Sequence, residues 1–185
     1  AIVELVKNSY DAESDQVLIR FENFPKGSST KSSRIVIADE GKGMDGDDIE
    51  DKWLNIAYSE KYLLEPEDGN YLAGNKGIGR FSCDRLGAKL DLITRKENKE
   101  LLHLKIKWED FEIEGEKDLT IEKIPLELNS IDEETAIKLA DIKSFPETGT
   151  VLVISAFRSQ WNQDKLKKLK TSLEKFINPN QLYLR

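Results

Sequence analysis

Apolar residues in AIVELVKNSYDA, residues 1–12, recur at helical spacing. Ile2, Val3, Leu5, Val6 and Ala12 take up most of the circumference, so the stretch predicts an α-helix lying largely inside a domain. At about 100° per residue, Glu4, Asn8 and Asp11 fall within an arc of roughly 60° on the remaining side. A carboxylate, an amide and a second carboxylate on one stripe of such a helix face either a cleft with a partner or ligand, or plain solvent. The pattern then changes period. QVLIRFENF (16–24) and RIVIADEG (34–41) are rich in Val, Ile and Phe and flank the turn-like PKGSSTKSS, which predicts a hairpin. DGDDIEDKWLNIA (45–57) predicts a helix whose acidic first turn suits the helix dipole.

From Tyr58 to Gly79 the chain is polar, aromatic and glycine-containing without a clean period, and loops of that length in compact domains are usually lids or disordered segments. A short helix is expected at 80–86, a second hairpin from AKLDLITRK (88–96) and LLHLKIKWE (101–109), and further strands at 118–124 and 149–157. Helical signatures return at 132–142 and 162–177. Strands outnumber crossovers and hairpins recur. The fold class expected is α+β, a mostly antiparallel mixed sheet with helices packed on one face.

Composition narrows the function classes. The chain of 185 residues, 38% hydrophobic, suits a single domain spanning 1–185. A net charge of -7 argues against phosphate-backbone binding as its main task, because that calls for clustered Lys and Arg. The lysines of DKLKKLKTSLEK (164–175) alternate with Leu166, Leu169 and Leu173 and read as the solvated face of a docked helix. One cysteine, Cys83, and one histidine, His103, exclude a disulfide framework and a Cys/His zinc site. With neither an apolar run of membrane length nor a signal-peptide pattern, the expected location is cytoplasmic. The sequence opens without Met inside a helical pattern, so a fragment lacking its upstream segment and downstream domains is expected.

Chemistry-bearing motifs follow in order. IADEGKGM (37–44) ends a strand with Asp39, which can accept a hydrogen bond from an exocyclic amine, and with Gly41 and Gly43, which allow a flat ring close to the backbone or a sharp turn. In GNKGIGRF (74–81), Gly74, Gly77 and Gly79 expose backbone N–H groups ahead of a helix N-terminus, with Lys76 and Arg80 adding positive charge, an arrangement suited to phosphates. A Rossmann fingerprint would follow a strand in a βαβ unit, and a P-loop would carry GK[ST]; neither context is present. TGTVLVIS (148–155) opens an apolar strand with Thr150, whose hydroxyl can reach the same pocket.

Taken in this order, the segments resemble the ATP-binding (Bergerat-type) domain of the GHKL superfamily. That group comprises the gyrase B subunit, the ninety-kilodalton heat-shock chaperone, sensor histidine kinases and MutL-type mismatch-repair ATPases. ELVKNSYDA, DEGKGM, GNKGIGRF and TGT match its four boxes over residues 1–157. The resemblance implies ATP and Mg²⁺ as cofactors, with Asn8 as the magnesium ligand and Glu4 as the general base of hydrolysis. Asp11 is implied as a supporting pocket position, Asp39 as the acceptor of the adenine amine and Thr150 as its water-linked partner. Gly41, Gly43 and Met44 would line the adenine. Gly74, Lys76, Gly77, Ile78, Gly79 and Arg80 would form the phosphate lid, with Ser59 and Lys61 at its entrance. Within the group, the sequence resembles the chaperone-like and MORC-like ATPases most, and its first box is of the type carried by gyrase-, chaperone- and mismatch-repair-type members. A hydrolysing switch, homodimeric in the full-length protein and acting on a DNA or protein client, is implied ahead of two alternatives. These are the catalytic domain of a sensor histidine kinase and a nucleotide-binding switch with little turnover. His103 falls in an expected strand and does not suit a phosphoacceptor.

Overall fold

The computed structural model describes residues 1–54, 78–108 and 127–175, with the backbone alone described at 52–54 and 78–81. Helix α1 (Ile2–Asp11) is followed by β1 (Val17–Glu22) and β2 (Arg34–Asp39). A three-residue helical turn α2 (Gly46–Asp48) runs into a π-helical segment, Ile49–Leu54. Then come α3 (Ile78–Leu86), β3 (Gly87–Arg95), β4 (Leu101–Lys107), β5 (Glu127–Ser130), α4 (Glu133–Ala140), β6 (Gly149–Phe157) and α5 (Gln163–Glu174). The strands form one six-stranded sheet in the order β1-β2-β6-β3-β4-β5, antiparallel at every pairing. This is the α+β layout the hydrophobic pattern predicts.

Strand alternation sorts the core into two layers. Ile35, Ile37, Leu90, Leu92, Leu104, Ile106 and Ile154 point to one face, where Ile2 and Leu5 of α1, Cys83 and Leu86 of α3 and the Leu166 and Leu169 side chains of α5 cover them. Removing each such side chain from water contributes about 1.5–3 kcal/mol. Val36, Ile93, Val151 and Val153 point the other way, against Ala136 and Ala140 of α4 and Phe145. The expectation of helices on one face therefore holds for α1, α3 and α5, and α4 adds a smaller layer behind. Two arginines of the sheet fasten that layer. Arg34 donates to the Leu139 carbonyl at 2.8 Å, and Arg20 to those of Ala140 and Asp141 at 2.7 Å each, so cations meet the negative end of the α4 dipole.

Two local expectations change. The helix expected over 45–57 opens as a capping box, in which Asp48 N–H donates to the Asp45 side chain and Asp45 N–H to the Asp48 side chain, followed by wider π turns up to Leu54, and 55–57 lie outside the described residues. Periodicity cannot separate these from α turns over so few residues. Strand β5 has all four side chains exposed, and its sequence ELNS offers no apolar alternation to announce it. The strand expected at 118–124 lies outside the described residues.

Candidate functional site

Three segments distant in sequence meet at one end of the sheet, on the α1 face. The register sets Asp39 of β2 opposite Thr150 of β6, and Thr150 opposite Thr94 of β3, so the three side chains form a row across adjacent strands. Helix α1 closes over this row. The Ser9 hydroxyl lies 2.9 Å from Asp39 Oδ2 and 3.3 Å from the Leu5 carbonyl, and the shorter, charge-assisted contact takes its proton. Asp39 Oδ1 accepts the backbone N–H of Gly41 at 3.0 Å and of Thr150 at 3.2 Å.

This count decides what Asp39 can still do. An ionised carboxylate has about four lone-pair sites. Two donors fill Oδ1 and Ser9 fills one site of Oδ2, which leaves a single acceptor position for a ligand. Burial raises the Asp39 pKa above the ordinary aspartate value, while the hydrogen bonds from Gly41, Ser9 and Thr150 hold it down. The carboxylate is thus desolvated and fixed in orientation, and an N–H donor brought to it would relieve its incomplete solvation.

The turn after Asp39 is built into its surroundings. Lys42 N–H donates to the Ala12 carbonyl at 2.9 Å, tying the turn to the end of α1. Glu40 N–H donates to the buried Ser14 hydroxyl at 3.0 Å. Gly43 has φ of +62°, and a Cβ there would stand 1.9 Å from the Arg95 carbonyl oxygen, so both the backbone angle and the space call for glycine. Met44 N–H donates to the Thr94 hydroxyl at 2.9 Å, and the Met44 side chain packs against the front core. Beyond it Lys96 binds Asp45 and Asp48, each at 2.7 Å, clamping the α2 capping box to the β3–β4 hairpin.

The stripe on α1 that the sequence singles out is on the accessible side of the helix. Glu4 is half-buried and accepts from Lys7 Nζ at 3.0 Å, while Asn8 and Asp11 are exposed. Among the described residues, nothing hydrogen-bonds the Asn8 side-chain amide. Among the described residues no cluster of three or more His, Cys, Asp or Glu could by itself hold a metal. The Asn8 side-chain oxygen does fit a small hard cation that arrives with a phosphate-bearing ligand, since such ions take few protein ligands and keep waters or phosphate oxygens for the rest.

Of the expected site residues, the structure brings together Asp39, Gly41, Gly43, Met44 and Thr150 at the sheet end, with the Glu4, Asn8 and Asp11 stripe on the helix that covers it. Ile78, Gly79 and Arg80 form the first turn of α3. Ser59, Lys61, Gly74, Lys76 and Gly77 lie outside the described residues, as does the loop expected from residue 58 up to the start of α3. Two residues of the site were not singled out from the sequence. Ser9 sits between Ile2 and Leu5 on the buried stripe of α1, and a serine in an apolar stripe is the signal that could have found it. Thr94 is wholly buried at 0% exposure, and nothing in LDLITRK separates it from an ordinary strand threonine.

Comparison with known proteins gives an independent result. The family described as histidine kinase-, DNA gyrase B-, and HSP90-like ATPase matches residues 1–137. Among solved structures, the chain is similar to the Aquifex aeolicus MutL ATPase domain complexed with ADP, at 15% sequence identity and a TM-score of 0.41, covering 84% of this chain. It spans 40% of that structure's length. No curated protein matches the chain.

Proposed function

The chain belongs to the histidine kinase-, DNA gyrase B-, and HSP90-like ATPase family, and on that premise we propose that residues 1–185 form one ATP-binding domain. It binds ATP with Mg²⁺ between α1 and the end of the sheet, and hydrolyses it to drive a conformational or dimerisation switch. The observation that carries the reading is the single acceptor position left on Asp39, desolvated and aimed by three donors. It matches the exocyclic amine of adenine, whereas the 6-oxo group of guanine would set oxygen against oxygen.

The remaining roles follow the family resemblance. Thr150 joins the amine through a water or directly. Gly41, Gly43 and Met44 supply the wall along which the ring lies. The N-terminus of α3, preceded by the GNKG run, faces the phosphates with its N–H groups and dipole. Asn8 is the magnesium ligand, and Glu4 takes the proton of the attacking water. Magnesium, when bound, neutralises charge on the phosphate oxygens. The Lys7–Glu4 ion pair is exposed and worth only about 0–1 kcal/mol, so it does not hold Glu4 away from this task. Asp11, exposed one turn beyond Asn8, supports the polar rim.

The autokinase alternative draws no support from His103, the chain's only histidine. It sits in β4 with Nε2 2.9 Å from Asp91 Oδ1, on the sheet face opposite α1. The switch with little turnover keeps the same pocket and differs in whether Glu4 acts as a base. The client, DNA or protein, is selected outside this domain, and the full-length protein works as a homodimer in a cytoplasmic setting.

Isothermal calorimetry with ATP, ADP and GTP in the presence of Mg²⁺ tests the binding reading. Adenine nucleotides should bind and GTP should bind at least about tenfold more weakly, the factor of one ordinary hydrogen bond. Equal affinity for GTP would remove the role given to Asp39.

A further inference from the structure

The Thr94 hydroxyl has three neighbours and limited capacity. Met44 N–H donates to it at 2.9 Å, the Gly149 carbonyl lies 3.0 Å away, and the Thr150 hydroxyl lies 3.0 Å away. A hydroxyl has one proton and two lone pairs. Thr94 is completely buried, so these neighbours are its partners. One arrangement satisfies all of them: Thr94 accepts from Met44 N–H, gives its own proton to the Gly149 carbonyl, and accepts the proton of Thr150. The reverse, with Thr94 donating to Thr150, deprives Gly149 of this donor and leaves a buried lone pair empty, which is unfavourable away from water.

The consequence reaches Thr150, which is only half-buried and stands in the same row as Asp39. Its single proton is committed to Thr94, so only lone pairs remain for the pocket. We propose that Thr94 is a positioning residue that makes Thr150 an obligate hydrogen-bond acceptor, so that the pocket reads the 6-amino group of a purine with two acceptors, Asp39 and Thr150. This rests on the adenine reading of the site and names the element that sharpens its specificity. An amine has two N–H bonds and can serve both acceptors directly. Direct contact is required at Thr150, since a bridging water could donate to Thr150 and to a 6-oxo group alike. A 6-oxo purine meets lone pairs at both.

The test compares ATP with inosine triphosphate, which differs at the purine 6-position, in wild type, Thr94→Val and Thr94→Ser. Affinities are measured with Mg²⁺ by calorimetry and folding by thermal melting. Valine keeps the shape but cannot accept the Thr150 proton, which is then free to point at a 6-oxo group. The ATP-over-inosine-triphosphate ratio should fall about tenfold, and serine should restore it. A wild-type ratio in Thr94→Val overturns the proposal, and so does a ratio that falls equally in Thr94→Ser, since packing of the methyl group would then be the cause. Should Thr94→Val fail to fold, Thr94→Cys carries the same test, because a thiol is only a weak acceptor. Failure of the wild-type chain to bind ATP would instead overturn the adenine reading itself.

Discussion

The backbone N–H of Thr150 donates to Asp39 Oδ1 at 3.2 Å, between two residues that the sheet register sets opposite each other. The side chain at the end of β2 is thereby aimed by the strand beside it. Asparagine at position 39 can keep most of this arrangement: its oxygen accepts from Gly41 and Thr150, and its amide nitrogen donates to the Ser9 hydroxyl. The position left for a ligand then carries a donor. Asp39→Asn is expected to fold and melt normally, to lose roughly 10- to 100-fold in ATP affinity, as for a hydrogen bond to a charged group, and to gain relative affinity for inosine triphosphate. Unchanged ATP affinity in a folded Asp39→Asn variant would rule out the carboxylate as the amine's partner.

A pH dependence comes from the same residue. Burial raises the folded-state pKa of Asp39 above its unfolded value. The folded chain therefore holds this proton more tightly than the unfolded chain, and the contribution of Asp39 to stability falls as pH rises through the folded value. Nucleotide binding runs the opposite way, because the amine needs the ionised form. ATP affinity should weaken as pH drops through the raised pKa, at a pH higher than an ordinary aspartate would give, and Asp39→Asn should abolish that dependence. Titrations by calorimetry across the acidic range read this directly.

Gly43 and Gly149 are expected to tolerate no side chain. Gly149 has φ of +144°, and a Cβ on it would lie 2.2 Å from the Asp39 carbonyl oxygen; at Gly43 the corresponding distance to the Arg95 oxygen is 1.9 Å. Both obstacles are backbone, so relief requires moving a strand end. Alanine at either position should destabilise by about 3 kcal/mol or more, seen as a large fall in melting temperature. Gly46→Ala is the control, with nothing within 4 Å of the added methyl.

The order of elements and the hairpins were legible because β1, β2, β3, β4 and β6 alternate or run apolar in a way that a buried sheet demands. Strand β5 was not, since an exposed edge strand has no core face to impose a pattern. At the site, Asp39, Gly41 and Gly43 could be named because a carboxylate and glycines at a strand end are chemically conspicuous, and Thr150 because TGT matches the fourth box of the resemblance. Ser9 and Thr94 act through hydroxyls buried among apolar neighbours. Only the register that sets Thr94 beside Thr150, and the fit of α1 over Asp39, reveal them, and both are products of tertiary packing.

Lys96 joins the site to the fold behind it. Its hydrogen bonds to Asp45 and Asp48 raise its own pKa and lower that of Asp45. For a lowered carboxylate the stabilising contribution is present above the unfolded value and is lost as pH falls through the folded one. Lys96→Met should therefore lower the melting temperature slightly near neutral pH, with the difference from wild type shrinking in strong acid. A constant difference across that range would assign the effect to packing of the side-chain stem.

Glu4 and Asn8 lie one turn apart on α1 and should separate into different phenotypes. Glu4 is half-buried and bonded to Lys7, so its truncation leaves the Asp39 row and the Asn8 amide undisturbed. Glu4→Ala should bind ATP with near wild-type affinity while hydrolysis falls by ~10² to 10⁴-fold, the usual contribution of a general base. Asn8→Ala removes an exposed oxygen donor and no core contact. Its fold should be intact, its affinity for ATP in Mg²⁺ reduced, and the difference from wild type diminished when Mg²⁺ is replaced by EDTA. Paired measurement of ATP affinity and steady-state phosphate release, made in the full-length protein because the switch is proposed to work as a dimer, resolves the two. Hydrolysis at the wild-type rate in Glu4→Ala would take the base assignment away from this carboxylate and advance the reading of a nucleotide-binding switch that hardly turns over.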